Sequence, residues 1–466
     1  DGTLEIFDID VSGNVTSAAS VPVGLEPVAV AARTNGEVWV VNQLSDSVSI
    51  VDVFGTPRVV RTLLVGDEPQ DIVFAGPGGN RAFIATAHRG QNAAVVDGDY
   101  DQEGIGRADV YVFDALNLGD SFEGDRLTVI TLFGDRPRAL ARNVVGDRVY
   151  AAVFRSGNRT TVVHEQSVCD TTPLNRTNEV VEGSCVVGSG GDAATAPGGL
   201  PTPHKNHEGT PGRETGLIVK QDRDGGVSGQ WLDEMDRDWS PLVRFDLPDQ
   251  DVFTIDANAG PPVEIGTPFS GVGTTIFNMA VHPTSGKIFV TNTDSQNHIR
   301  FEGPGDHVTN NSLKPVGEKA TVRGDLARAR ITLLDPGLGT VTPRHLNKHI
   351  PYSSVPMPAS VKPRSLSTPL GMEFSADGNT VYVAGFGSSK IGVYDVPGLE
   401  ADTFVTAASD HIDLGGGGPS GVVRRGARLF VTTRYDNALR SIDLITNSEA
   451  QRIALHSPEP DEVIDG

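Results

Sequence analysis

The chain has 466 residues, 54 of them Gly and 30 Pro, and a formal net charge of −22. Turn formers are in excess while the charged fraction is an ordinary 21%, so a folded, turn-rich chain is expected. No stretch of 18 apolar residues occurs, which excludes a membrane-spanning helix; the acidity, with Lys and Arg scattered, argues against nucleic acid and anionic membrane as ligands.

The first element, Thr3-Leu4-Glu5-Ile6-Phe7-Asp8-Ile9-Asp10, reads as the outer half of a strand unit whose inner half is missing. A complete unit follows: a turn residue, an apolar–aromatic–apolar triplet, a polar gap, then an alternating strand that often ends in Asp. The first copy is Asn35-Gly36-Glu37-Val38-Trp39-Val40-Val41-Asn42 with Ser47-Val48-Ser49-Ile50-Val51-Asp52. The second is Arg81-Ala82-Phe83-Ile84, with its outer strand Val110-Tyr111-Val112-Phe113-Asp114 delayed by an insertion. Arg148-Val149-Tyr150-Ala151 and Lys287-Ile288-Phe289-Val290-Thr291-Asn292 open the third and fourth. The fifth is Thr380-Val381-Tyr382-Val383 with Ile391-Gly392-Val393-Tyr394-Asp395; the sixth is Arg428-Leu429-Phe430-Val431 with Leu439-Arg440-Ser441-Ile442-Asp443.

Apolar alternation of period two belongs to strands, and no apolar stripe of period 3.6 is long enough for a core helix. Prolines precede several copies (Pro27, Pro69, Pro137, Pro369, Pro419), and Pro27 and Pro69 lie 42 residues apart, the length of a four-stranded propeller blade. The expected fold is all-β: a seven-bladed β-propeller of four-stranded antiparallel blades in one domain, 1–466, with long loop insertions. The seventh blade is built from both termini, Glu459-Pro460-Asp461-Glu462-Val463-Ile464-Asp465-Gly466 supplying its opening. One apolar–aromatic–apolar strand is then missing, so either the native chain continues past residue 466 or this blade is incomplete.

These units resemble the YVTN family of β-propellers, with Phe289-Val290-Thr291-Asn292 the nearest match to the name-giving strand. That resemblance implies the fold more strongly than a function, because such propellers host binding, scaffolding and redox roles. Arg344-His345-Leu346-Asn347-Lys348-His349-Ile350, Thr368-Pro369-Leu370-Gly371-Met372 and Phe386-Gly387-Ser388-Ser389-Lys390 are similar to long exported bacterial propeller proteins. Many of those continue into a c-type cytochrome domain carrying Cys-x-x-Cys-His. This chain has no such motif, so the resemblance implies haem c only in a domain following Gly466.

Excursions interrupt the repeat at about 164–242 and 303–329, with an irregular stretch at 340–367. They form either a cap and partner-docking surface or simple decoration. Cys169 and Cys185, the two cysteines, read as a disulfide closing a surface loop or as two reduced thiols; the disulfide implies the periplasm or the cell exterior. Asp97, Asp99, Asp101 and Glu103 alternate as oxygen donors for Ca²⁺ would, yet Gln102 and Ala108 depart from the EF-hand loop; a solvated acidic loop is the other reading. His345 and His349 have the spacing of a transition-metal pair on a helical turn, or they hydrogen-bond backbone in a packed loop. His204 and His207, and Asp222 with Asp224, are weaker candidates. Nucleophile-elbow, phosphate-loop and His-Glu-x-x-His motifs are absent, so no catalytic residue is assigned. The expected function is an exported binding or scaffold module with a protein, cytochrome or electron-transfer partner. The alternatives are the propeller portion of a haem-dependent, peroxidase-like oxidoreductase and a structural surface or adhesion protein.

Overall fold

The computed structural model describes residues 2–88, 107–169, 185, 197–201, 213–222, 229–246, 249–300, 325–352 and 357–456. Strands β1 (Thr3–Ile9) and β2 (Val15–Pro22) form an antiparallel hairpin. The next sheet contains β3 (Pro27–Thr34), β4 (Glu37–Asn42), β5 (Ser47–Asp52) and β6 (Arg58–Leu64), and its successor β7 (Asp67–Ala75), β8 (Arg81–Ala87), β9 (Ala108–Asp114) and β10 (Arg126–Leu132). In the third sheet β11 (Asp135–Arg142) and β12 (Arg148–Arg155) precede an inserted unit of β13 (Thr160–Val163), helix α1 (Glu165–Cys169), β14 (Leu217–Gln221) and β15 (Trp231–Leu232). The third sheet then resumes with β16 (Val252–Asp256) and β17 (Val263–Phe269). Three more follow: β18 (Thr275–Val281), β19 (Ile288–Ser295), β20 (Ala327–Asp335), β21 (Thr340–His345); β22 (Pro369–Phe374), β23 (Thr380–Gly385), β24 (Lys390–Asp395), β25 (His411–Asp413); and β26 (Pro419–Arg425), β27 (Arg428–Thr433), β28 (Ala438–Asp443), β29 (Ser448–Ala454).

The first strands β3, β7, β11, β18, β22 and β26 pack side by side in that order and ring a central axis, with later strands of each sheet lying farther out. The β1–β2 hairpin stands between the sixth sheet and the first: the Gln451 amide bonds both backbone groups of Val15, and Leu4, Ile6 and Val21 pack on Val40 and Val51. It therefore occupies the outer half of a seventh blade. The terminal segment expected to open that blade lies outside the described residues.

Two signals in the repeat now have a physical cause. In the first two blades the central aromatic of the triplet fills the seam to the next blade: Trp39 is fully buried and meets Phe74 of the next sheet edge-on at 5.4 Å, and Phe83 packs among Val149, Ala151 and Phe253 of the third. Truncating such a residue removes about 3–5 kcal/mol of packing. The strand-terminal Asp is a turn-former whose carboxylate accepts a backbone N–H two residues on, as Asp52 does from Phe54, Asp114 from Leu116, Asp256 from Asn258, Asp335 from Gly337 and Asp443 from Ile445. Asp10 does the same for Ser12 after β1, and Asp395 caps helix α2 (Val396–Glu400) through Gly398. This residue recurs once per blade, hairpin included.

The excursions carry more regular structure than their composition announces. Strands β13, β14 and β15 pair into a sheet over a core of Val163, Val168, Leu200, Leu217, Val219, Trp231 and Trp239, distinct from the cores of the blades. Cys169 and Cys185 are joined as a disulfide with Cα atoms 4.9 Å apart, and Cys185 is part of that core. The stretch at 340–367 begins as the outermost strand β21, and β20 starts at Ala327.

Candidate functional site

Antiparallel order places the starts of the first strands and the ends of the second strands on one face of the disc; Asp135 pairs Arg155, and Thr275 pairs Thr293. The long connections after β8, β12, β19 and β21 all leave from this entry face. Each first strand also begins irregularly. The register of β3, β7, β11, β18, β22 and β26 slips within the first few residues, leaving Val28, Gln70, Arg138, Phe277, Leu370 and Ser420 at the bulges. Just upstream, Glu26, Glu68, Arg136 and Thr368, each preceding a proline, take φ values of 51°, 46°, 60° and 52°. Such left-handed backbone costs a non-glycine residue on the order of 1 kcal/mol and persists only where the surroundings impose it.

At the seam of the second and third blades these bulges meet. Arg138 Nη1 donates to Gln70 Oε1 at 3.0 Å, and its guanidinium lies 5.7 Å from the Phe154 ring centre. The Arg155 guanidinium lies 5.4 Å from the same ring, and Phe154 meets Phe277 of the fourth blade at 6.5 Å. Asp71 accepts the N–H groups of Ile72 and Leu140, and burial pushes its carboxyl up to about 6. Burial and the nearby Arg434 guanidinium pull the Arg138 pKa down. Arg136 is neutralised by Glu68 at 3.2 Å, whereas Arg138, Arg155 and Arg434 make no ion pair among the described residues.

The root of the insertion is a second polar cluster. Ser156 donates to Asp251 at 2.5 Å, Asp251 and Asp249 accept the N–H groups of Val272 and Gly271, and Arg159 sits 3.3 Å from Asp249. Burial, and next the Asp249 charge, raise the Asp251 pKa. Arg330 reaches Asp294 at 3.0 Å beside them. Within the insertion, Glu234 is 4% exposed and accepts from the Arg300 N–H, while its Oε1 has no partner; burial pushes its pKa to about 7. These contacts fasten the inserted sheet to the third and fourth blades and place no exposed reactive group.

Asp97, Asp99, Asp101 and Glu103 lie outside the described residues, as do His204, His207 and Asp224. His345 ends β21 and His349 closes the turn after it, so the pair is not on a helical turn. The His345 ring nitrogens face the Ala329 carbonyl at 3.3 Å and the Tyr352 hydroxyl at 3.1 Å; those of His349 face Ser365 at 3.1 Å and Thr406 at 3.0 Å. Among the described residues Glu165, Cys169 and Glu214 come close enough to share an ion, but the Cys169 sulfur is in the disulfide and offers no thiolate. Sequence reasoning missed Gln70, Arg138, Phe154, Arg155 and Phe277. The signal for two of them was present: Gln70 and Arg138 each directly follow a proline that opens a copy of the repeat.

No family model matches the sequence, and no curated protein does. Among solved structures, Kuenenia stuttgartiensis hydrazine synthase is similar with a TM-score of 0.52 at 16% identity, over 94% of this chain and 89% of that one. The chain is a β-propeller. The Swd1 β-propeller domain of Myceliophteria thermophila also matches, at 9% identity, 94% and 88% coverage and a TM-score of 0.47. At such identities the propeller's fold is what the likeness carries; its activity has to be argued from its own residues.

Proposed function

We propose that this propeller is an exported binding module whose entry face docks a protein partner. The observation that carries this reading is the departure of the long connections from one face, around a channel mouth that holds Arg138, Arg155 and Arg434 without ion pairs in a chain of net charge −22. Supporting it, propellers generally present such faces to partners, and the Cys169–Cys185 disulfide suits an oxidising compartment outside the cytoplasm. The partner class that the sequence resemblance implies is a c-type cytochrome or another electron-transfer protein. The test is chemical cross-linking of the tagged chain in its host's exported fraction, followed by haem staining of the captured material. Wild type should retain a haem-staining partner and the entry-face double variant Arg155→Glu, Arg434→Glu should lose it. Equal capture by both, or no haem stain, sinks the reading.

A structural Ca²⁺ at Asp97, Asp99, Asp101 and Glu103 belongs to the same proposal, since alternating carboxylates supply the hard oxygens that ion requires. Chelator should then lower the thermal midpoint of the chain and added Ca²⁺ restore it, and an unchanged transition rejects the ion.

A further inference from the structure

Phe154 is flanked by two guanidiniums, Arg138 at 5.7 Å and Arg155 at 5.4 Å, and neither has a carboxylate in ion-pair range among the described residues. Bringing like charges onto one ring is unfavourable unless something offsets their repulsion, and one ring quadrupole offsets only part of it. Asp71, on the same strand as Gln70, is committed to two backbone N–H groups and makes no ion pair with either guanidinium. Arg138 spends one nitrogen on Gln70; its other guanidinium nitrogens have no hydrogen-bond partner among the described residues. Beside these donors stands a second ring, Phe277, tilted 61° from Phe154. Gln70, the guanidiniums and the rings come from three successive blades, the second, third and fourth, and meet at the bulged starts of their first strands.

We infer that Gln70, Arg138 and Arg155, with the rings of Phe154 and Phe277, form a binding site for a carboxylate borne on an apolar or aromatic body. The guanidinium forks match the planar oxyanion, Gln70 Oε1 orients the Arg138 fork by accepting one of its N–H groups, and the rings take the body. Such a carboxylate comes either from a free organic acid or from the C-terminal residue of a polypeptide. The site shares Arg138 and Arg155 with the proposed docking face, but its test reads a small carboxylate and not a folded partner, so failure of one is distinguishable from failure of the other.

The test is thermal and calorimetric titration of the whole chain with phenylacetate and, in a parallel arm, with a short neutral peptide ending in a free C-terminal Phe. At least one should bind saturably and raise the melting temperature. Phenylethanol, of similar shape without the charge, should bind at least about tenfold more weakly. Arg155→Gln, at an exposed position that leaves folding intact, should weaken binding about tenfold, and Arg138→Gln by at least as much in protein whose circular dichroism matches wild type. The tighter arm identifies the source of the carboxylate. No binding in either arm, equal binding of phenylethanol, or wild-type affinity in Arg155→Gln overturns the site.

Discussion

Gln451 and Val15, 436 residues apart in the chain, exchange two hydrogen bonds: Val15 N–H donates to Gln451 Oε1 at 2.8 Å, and Gln451 Nε2 donates to the Val15 carbonyl at 2.7 Å. A side chain of the last described strand thereby serves as backbone for the hairpin that begins the chain. Gln451→Ala leaves both Val15 groups to water and should cost about 1–2 kcal/mol. Hydrogen exchange should accelerate across residues 3–22 and little elsewhere; unchanged exchange there would show that apolar contact alone seats the hairpin.

Gly273 and Asn292 make a second long-range fit. A Cβ on Gly273 would clash with the Asn292 side chain, and Asn292 is fully buried, donating to Thr332 Oγ1 at 2.9 Å, so it cannot withdraw. Gly24 faces Asn42 the same way in the first blade. Gly273→Ala should destabilise by about 1–3 kcal/mol. Adding Asn292→Gly removes the Oδ1, Cγ and Cβ atoms that the new methyl would meet, so a double-mutant cycle should return a favourable coupling; strict additivity would place the strain elsewhere.

The Glu234 carboxyl predicts a pH dependence. Its folded pKa, raised by burial to about 7, exceeds the ordinary 4.5, so the folded state binds the extra proton. The stability it contributes is complete below 4.5 and is lost as pH rises through 7. Glu234→Gln, a neutral mimic, should therefore match wild type near pH 5 and exceed it at pH 8 by on the order of 2 kcal/mol, followed by the fluorescence of Trp231 and Trp239. A variant no more stable than wild type at pH 8 contradicts this account.

Replacing Cys169 and Cys185 by Ser opens a loop closed over a sequence separation of 16. About 3 kcal/mol of stabilisation should be lost. Because Cys185 packs with Trp231 and Trp239 in a core separate from the blades, the loss should fall on the inserted sheet. Near-ultraviolet circular dichroism of the tryptophans should melt early while the far-ultraviolet strand signal keeps its midpoint; a common shift of both would mean that insertion and ring unfold together.

The repeat was legible because each of its signals is local or recurs with each blade. Period-two alternation and an Asp ending the third strand are each set by one strand and its own turn, as Asp52 shows, and the aromatic of the second strand is legible because the seam that Trp39 fills against Phe74 recurs with each blade. The Asn that ends the second strand has a cause within its own blade: Asn42 donates to Ser49 and Asn292 to Thr332, each tying the second strand of a blade to the third. His345 and His349 fared differently, since their spacing suggested a shared ligand only on a helix, and β21 with its turn sends their nitrogens to separate partners.

What the sequence by itself determined was therefore the blade: strands, turns, seam aromatics and, by repetition, a closed ring. What only the tertiary structure decided was the site at its mouth. Gln70 and Arg138 lie 68 positions apart and meet because bulges at the starts of neighbouring first strands bring them together. A bulge changes which way a side chain faces without altering the apolar pattern of the strand, so the period that revealed the fold is silent on the residues that line its channel.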